Sequence, residues 1–356
     1  MSRRLPRALH PVAWWGWALG LATAASRTSN PLLLVLIMAV LWLVVALRRT
    51  QAPWARGYRY YLVMAAVVIV IRIAFSVVFS SGPATGAAIW LRLPVVPTPS
   101  WYTGVRIGGA VSAQAVLSAA LDGARLACLL CCIGAANTLA NPKRALRVLP
   151  GALYELGVAV TVALSVAPQL VESVGRVRRA RRLRGAGQGG RRLAVFRGVA
   201  IPVLHDALDR SLRLAAAMDA RGYGRTGTAT AVSRRLTASC MLAGLAGLCL
   251  GAYGLLDPTV PHGVGLGGFA AGSALCVAGL VLGGQRVSSS RYRPDPWGWP
   301  EWVVAGSGIL CALVLCLDVG YNPAALNPVL YPLHWPSLPS VPAAAILATG
   351  LAGVIS

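Results

Sequence analysis

Long apolar runs recur along most of this chain and constrain its fold more than any other feature of the sequence. About 20 apolar residues cross the hydrocarbon core of a bilayer as a helix. Runs of roughly this kind lie at 11–25, 31–47, 60–80, 108–136, 236–256, 264–283, 301–318 and 339–355. Only 12% of the residues are charged, against about a quarter in a soluble domain. We therefore predict an all-α polytopic membrane protein with about eight transmembrane helices.

The arginines predict how these helices are oriented in the cell membrane. The formal net charge is +23, and the basic residues cluster between the apolar runs. They are not spread over a soluble fold, so a nucleic-acid partner is not expected. Because short cytoplasmic loops carry the Lys/Arg excess, the clusters at Arg3–Arg7, Arg48–Arg59 and Arg286–Arg293 are predicted inside the cell. The N-terminus is then cytoplasmic, and the Pro-rich stretches near Pro97 and Pro336 are external.

The apolar run at 151–170 is ambiguous. If it crossed the bilayer, the arginine cluster from Arg176 to Arg192 would lie outside the cell, against the positive-inside rule. We therefore predict that it does not span and that the whole stretch before the next span is cytoplasmic. The predicted division is 1–138 for the N-terminal transmembrane helices, 139–235 for a cytoplasmic region and 236–356 for the C-terminal transmembrane helices.

Two long amphipathic helices are predicted in the cytoplasmic region. The first runs from about Gly151 to Arg184, with a kink expected at Pro168. The second runs from about Leu193 to Arg221, with an apolar stripe at helical spacing. The stripe consists of Leu204, Leu208, Leu212 and Ala215. Residues four apart on a helix can pair, which predicts Asp206 with Arg210 and Asp209 with Arg213.

Charged residues inside apolar runs are costly in a membrane and need partners. Asp122 and Arg125 lie three apart on one predicted helix and are expected to pair. Arg72 has no carboxylate near it in sequence, and Glu155 is a candidate partner from another helix. A substrate or proton pathway at Arg72 is the alternative interpretation.

The sequence offers little to catalysis, and no cofactor or metal site is predicted. The single lysine, Lys143, lies in NPKR and not in a phosphate-binding loop. The four histidines are far apart, and all eight cysteines lie in apolar runs, as core residues do. Asp206 and Asp209, beside His205, allow a prenyltransferase-type membrane enzyme as an alternative, but no second carboxylate cluster accompanies them. The glycines near Gly268 and Gly272 indicate close helix packing.

Both amphipathic helices end in an Arg-Gly pair, and the sequence thereby resembles a known family. These motifs resemble those of the transmembrane coupling subunit, or T component, of energy-coupling factor transporters. The resemblance extends over roughly Leu9 to Arg225, and the first motif has leucine where the family has alanine. The residues that carry it are Leu183, Arg184 and Gly185, then Ala220, Arg221 and Gly222, with LHPVAWWGW, Asn30-Pro31 and Asn141-Pro142 upstream.

The resemblance implies a subunit of a vitamin or metal importer and not an enzyme. Its partners would be two cytoplasmic ABC-type ATPase subunits and a small membrane substrate-binding (S) component. Arg184 and Arg221 would dock onto the ATPases, and the amphipathic helices would transmit nucleotide-driven closure to the S component. The permease of another ATP-driven importer is a further alternative.

Overall fold

A computed structural model shows a protein built almost entirely of helices. It describes residues 9–48, 57–79, 89–96, 107–148, 153–183, 192–222, 231–257, 259–284, 297–328 and 335–354. It is 86% helical with almost no strand, which confirms the predicted all-α class.

The elements follow one another along the chain with short connections. The helices are α1 (Pro11–Ser26), α2 (Pro31–Arg48), α3 (Tyr58–Val78), α4 (Ala113–Leu139), α5 (Pro142–Arg147), α6 (Tyr154–Leu183), α7 (Arg192–Ala220), α8 (Ala231–Leu256), α9 (His262–Gly284), α10 (Trp299–Tyr321), α11 (Pro323–Leu326) and α12 (Ser340–Thr349). A 3-10 turn, Gly350–Gly353, extends α12, and two strands, β1 (Ile89–Val96) and β2 (Ile107–Ser112), lie between α3 and α4.

The chain forms two compact units. The first combines Met1–Ala145 with Pro294–Ser356, and the second is Leu146–Arg293. The predicted division at 138 and 235 concerns sides of the membrane and stays a prediction.

The centre of the first unit is a contact between α1 and α10, which run parallel. A Cβ on Gly20 would overlap the backbone of Gly308, and a Cβ on Gly16 would lie 3.4 Å from that of Ala305. The helices therefore approach as closely as small residues permit. On the opposite side of α1, the fully buried Trp17 donates its indole N–H to the carbonyl of Thr349 at 3.1 Å. The C-terminal helices α10 and α12 are thus part of the core formed by the first helices.

One turn of the chain joins the two ends of the sequence through buried polar groups. Asn30 is fully buried, and its side-chain amide donates to the carbonyls of Ala325 at 2.9 Å and Ser337 at 2.8 Å. The hydroxyl of Thr28 donates to the carbonyl of Leu326 at 2.7 Å. Because an unpaired amide would be costly here, Asn30 fixes α2 against the C-terminal segment.

A β-hairpin precedes α4, and the sequence does not predict it. The strands pair antiparallel, with Leu91 opposite Val111 and Leu93 opposite Gly109. The predicted run at 108–136 is therefore wrong at its start, since α4 begins at Ala113. Gly109 has φ of 116°, a backbone conformation that favours glycine and does not continue a helix.

In the second unit, α8 and α9 form a hairpin of helices packed through glycines. A Cβ on Gly268 would lie 3.3 Å from the Cα of Gly251, and one on Gly272 would overlap the backbone at Leu248. The predicted packing role of Gly268 and Gly272 is confirmed.

Seven helices in the described ranges are long and apolar enough to cross a membrane, namely α2, α3, α4, α6, α8, α9 and α10. The predicted runs at 11–25 and 339–355 form shorter helices, since α1 has 16 residues and α12 has 10 before its 3-10 extension. Length and composition would also let α6 cross, whereas the arginines predict that it does not. The protein is a multi-pass membrane protein, and the side on which α6 and α7 lie is a prediction that can be tested.

Cysteine accessibility is expected to place residues 139–235 inside the cell. A cysteine at Gly187 should resist a membrane-impermeant maleimide in intact cells, and one at Thr98 should react, because the arginine distribution puts these positions on opposite sides. Both positions lie outside the described residues. The wild-type chain, with its eight native cysteines, sets the background. Labelling at Gly187 from outside would show that 151–170 spans.

Candidate functional site

The two predicted amphipathic helices are present with nearly the expected bounds. Helix α6 ends at Leu183, and α7 ends at Ala220. Each continues through a proline, Pro168 in α6 and Pro202 in α7. A proline within a helix removes one backbone hydrogen bond, so each helix has a weak point that the sequence marks.

Polar side chains join α6 to α7 in an antiparallel pair. The hydroxyl of Ser173 donates to Asp206 at 2.7 Å, and Arg210 donates to the Gln169 amide oxygen at 2.9 Å. Further along, the Arg181 guanidinium covers Gly198 so closely that a Cβ there would overlap it. Partner numbers fall on α7 as they rise on α6, so the helices run in opposite directions. Sequence reasoning missed Gln169 and Ser173, although polar residues four apart on an otherwise apolar face were the available signal.

Asp206 is the charged centre of this contact. Its carboxylate pairs with Arg176 at 3.3 Å and with Arg210 at 3.4 Å, which confirms the predicted Asp206–Arg210 pair. The Ser173 hydroxyl, followed by Arg210 and Arg176, lowers the pKa of Asp206 below its usual value. Both oxygens therefore serve a contact between helices, which supports the structural interpretation of this aspartate over the enzymatic one.

The other predicted pair on α7 is absent. Asp209 and Arg213 form no ion pair among the described residues, and both are on the exposed part of the helix. No group of three or more His, Cys, Asp or Glu side chains in the described ranges is arranged to hold a metal ion.

The second Arg-Gly motif forms a tight helix end. Ala220 is the last helical residue, and the N–H groups of Arg221 and Gly222 donate to the carbonyls of Met218 at 3.1 Å and Asp219 at 2.9 Å. Gly222 has φ of 75°, the left-handed conformation that glycine adopts after a helix. Glycine is therefore required by the backbone here, and it leaves Arg221 exposed on the last turn. In the first motif, Leu183 ends α6 and is 90% exposed, whereas Arg184 and Gly185 lie outside the described residues.

The two motifs lie at opposite ends of the α6–α7 pair. Starting from the Ser173–Asp206 contact, Leu183 lies ten residues further along α6, and Arg221 lies 15 residues further along α7 in the opposite direction. At about 1.5 Å per residue, the two helix ends are roughly 37 Å apart along the pair. The two motifs therefore form two separate sites.

The apolar stripe of α7 is largely uncovered. Leu204, Leu208 and Leu212 are 60%, 51% and 68% exposed. Helix α6 contacts the neighbouring polar face, at Asp206 and Arg210. An exposed apolar stripe of this kind is a common mark of an interaction site.

The charged residues in the first unit pair differently from the prediction. Asp122 pairs with Arg72 of α3 at 3.6 Å, and not with Arg125 of its own helix. The expected Asp122–Arg125 pair is wrong because the Arg125 Nε donates to the carbonyl of Thr28 at 3.0 Å. The Arg72 partner is thus Asp122 on a neighbouring helix, and the Glu155 side chain lies outside the described parts of the structure.

The comparisons with known proteins agree with this arrangement. Residues 2–230 match the family model CbiQ, cobalt transport protein. A comparison with curated proteins gives no significant match. The match covers α1 to α7, including both Arg-Gly motifs, and it stops before α8. The family is one of transport proteins and not of enzymes. The chain therefore belongs to the cobalt transport protein family, the family of energy-coupling factor transporter T components.

Proposed function

We propose that this chain is the transmembrane coupling component of an energy-coupling factor importer. It would join two cytoplasmic ATPases to a small membrane protein that captures a vitamin or a metal ion. The family match supports an importer subunit of this kind. The observation that carries the finer proposal is the position of the two Arg-Gly motifs at opposite ends of one antiparallel helix pair.

Two separated arginines suit two ATPases. With about 37 Å between the helix ends, one nucleotide-binding subunit would engage Arg184 and the other Arg221. A guanidinium on the last turn of a helix is favoured there by the helix dipole, and its planar fork suits a carboxylate in the partner. In this proposal the N-terminus and the α6–α7 pair are cytoplasmic.

The α6–α7 contact then provides the mechanical link. When the ATPases approach one another on binding nucleotide, their movement would act on the two ends of the pair. Asp206 and its partners Ser173, Arg176 and Arg210 hold the helices together where they meet. The uncovered stripe of Leu204, Leu208 and Leu212 would contact the substrate-capturing protein and pass the movement on.

Purification of the tagged chain from its native membrane tests the proposal. Two ABC-type ATPases and one small hydrophobic protein are expected to co-purify in a fixed stoichiometry, which mass spectrometry would determine. An unrelated multi-pass protein with the same tag serves as the control. Recovery of neither ATPase would contradict the proposal, and transport of substrate without a small membrane partner would favour an ordinary permease.

A further inference from the structure

The outward face of α3 is the least covered part of the first unit. Only 6% of its candidate span is buried within the protein, against 33% for α4 and 39% for α2. Helix α3 packs onto α4 where Gly123 meets Ile69 and Gly134 meets Tyr61. The opposite face presents large apolar side chains, such as Val67, Val70 and Phe75, which are 47%, 64% and 59% exposed.

An ion pair lies within this apolar face. The side chains of Arg72 and Asp122 are 48% and 51% exposed. Apolar residues precede Arg72 in VVIVI and follow it in IAF, and both residues belong to candidate spans. Charged groups in such spans normally face a protein interior or a water-filled cavity. A half-exposed pair surrounded by Val70 and Phe75 has neither in this chain alone.

The pair has hydrogen-bonding capacity that the described residues do not use. Arginine carries five N–H donors and a carboxylate about four lone-pair sites. The contact between Arg72 and Asp122 is the one interaction found for either side chain in the described ranges. Arg125 is held by the carbonyl of Thr28, so it does not supply more.

These properties define what would cover the face. A second charge would leave the neutral pair with an excess charge in the membrane, which is costly. A neutral amide or hydroxyl can accept from Arg72 and donate to Asp122 at once, and such side chains join transmembrane helices. We propose that the α3 face around Arg72 and Asp122 binds a transmembrane helix of a partner protein, one that carries a neutral side chain able to donate and accept hydrogen bonds. This site is distinct from the Arg-Gly motifs and does not depend on ATPase coupling.

Photo-crosslinking in vesicles tests the inference. The full chain would carry benzoylphenylalanine in place of Phe75, one helical turn from Arg72, and would be reconstituted in phosphatidylcholine. The probes are two labelled leucine-alanine peptides of about 20 residues, long enough to span, with either asparagine or leucine at the centre. We expect about threefold to thirtyfold more crosslinking to the asparagine peptide, the range that interhelical hydrogen bonds in membranes provide.

Three controls make the result specific. The double variant Arg72→Leu/Asp122→Leu, which replaces the pair by apolar side chains, should lose the preference for asparagine. Unlabelled asparagine peptide should compete on the unsubstituted pair, which requires no folding of that variant. Benzoylphenylalanine in place of Trp42, a residue of α2 that is 59% exposed, should capture both peptides equally. Equal capture at Phe75, a chain-to-chain dimer as the main product, or adducts with lipid alone would each overturn the inference.

Discussion

Arg221→Glu is expected to release an ATPase while leaving the protein inserted in the membrane. Arg221 is exposed in the turn after α7 and lies outside every candidate span, so the substitution should not affect insertion. Removing one partner from a buried, hydrogen-bonded charge pair costs about 2 to 5 kcal/mol, which is on the order of a 30-fold to several-thousand-fold loss of affinity. Co-purification and the ratio of ATP hydrolysed to substrate imported would measure it.

Arg184→Glu is expected to act in the same way on the other ATPase, with a smaller effect because its motif begins with Leu183. Matched controls are Arg179→Glu and Arg192→Glu, which change the net charge equally but touch neither motif. A cation in diffuse surface contact contributes far less than one in a desolvated pocket. If all four substitutions weaken ATPase association equally, the contact is general electrostatic attraction and the two arginines have no special role.

Gly308→Leu is expected to unfold the first unit, whereas Gly306→Leu on the same helix should be tolerated. A Cβ on Gly308 would lie 2.5 Å from the Cα of Trp17, whereas nothing lies within 4 Å of the position at Gly306. Since the obstacle is backbone and not a flexible side chain, α1 and α10 would have to separate. Overpacking typically costs about 1 to 3 kcal/mol and occasionally more, and backbone overlap belongs at the upper end.

Thermal unfolding in detergent, followed by fluorescence-detected size exclusion, would measure this difference. The Gly308 variant should melt well below the wild type, and the Gly306 variant close to it. Similar melting of the two variants would show that the α1–α10 contact contributes little. A selective loss would also show that α10, which lies beyond the matched residues 2–230, is required by the helices within them.

Local sequence patterns were sufficient to predict most helices and the bounds of the two amphipathic ones. The apolar period and the terminal glycines predict α6 and α7 to within three residues at either end, because a helix depends on interactions between residues three and four apart. The same reasoning predicts the Asp206–Arg210 pair on one helix. It failed at 107–112, where Gly108 and Gly109 form a strand whose partner comes from the stretch before α4.

Charge pairing shows where local reasoning ends. Asp122 and Arg125 have the spacing of a helical pair, yet each takes a partner from another segment, Arg72 and the carbonyl of Thr28. A local pair contributes a few tenths of a kcal/mol, about 0.2 to 0.5, so any better contact offered by packing replaces it. The sequence could not predict which contact that would be.

The sequence by itself determined that this is a helical membrane protein with two Arg-Gly helix ends, since composition and periodicity act within one segment at a time. Tertiary structure alone decided that α10 and α12 pack against α1 and α2, that Asn30 joins the first turn to the C-terminal segment, and that the two motifs lie at opposite ends of one pair. These features depend on contacts between residues that are up to 332 positions apart. Such contacts arise from the shape of packed surfaces, which no local pattern specifies.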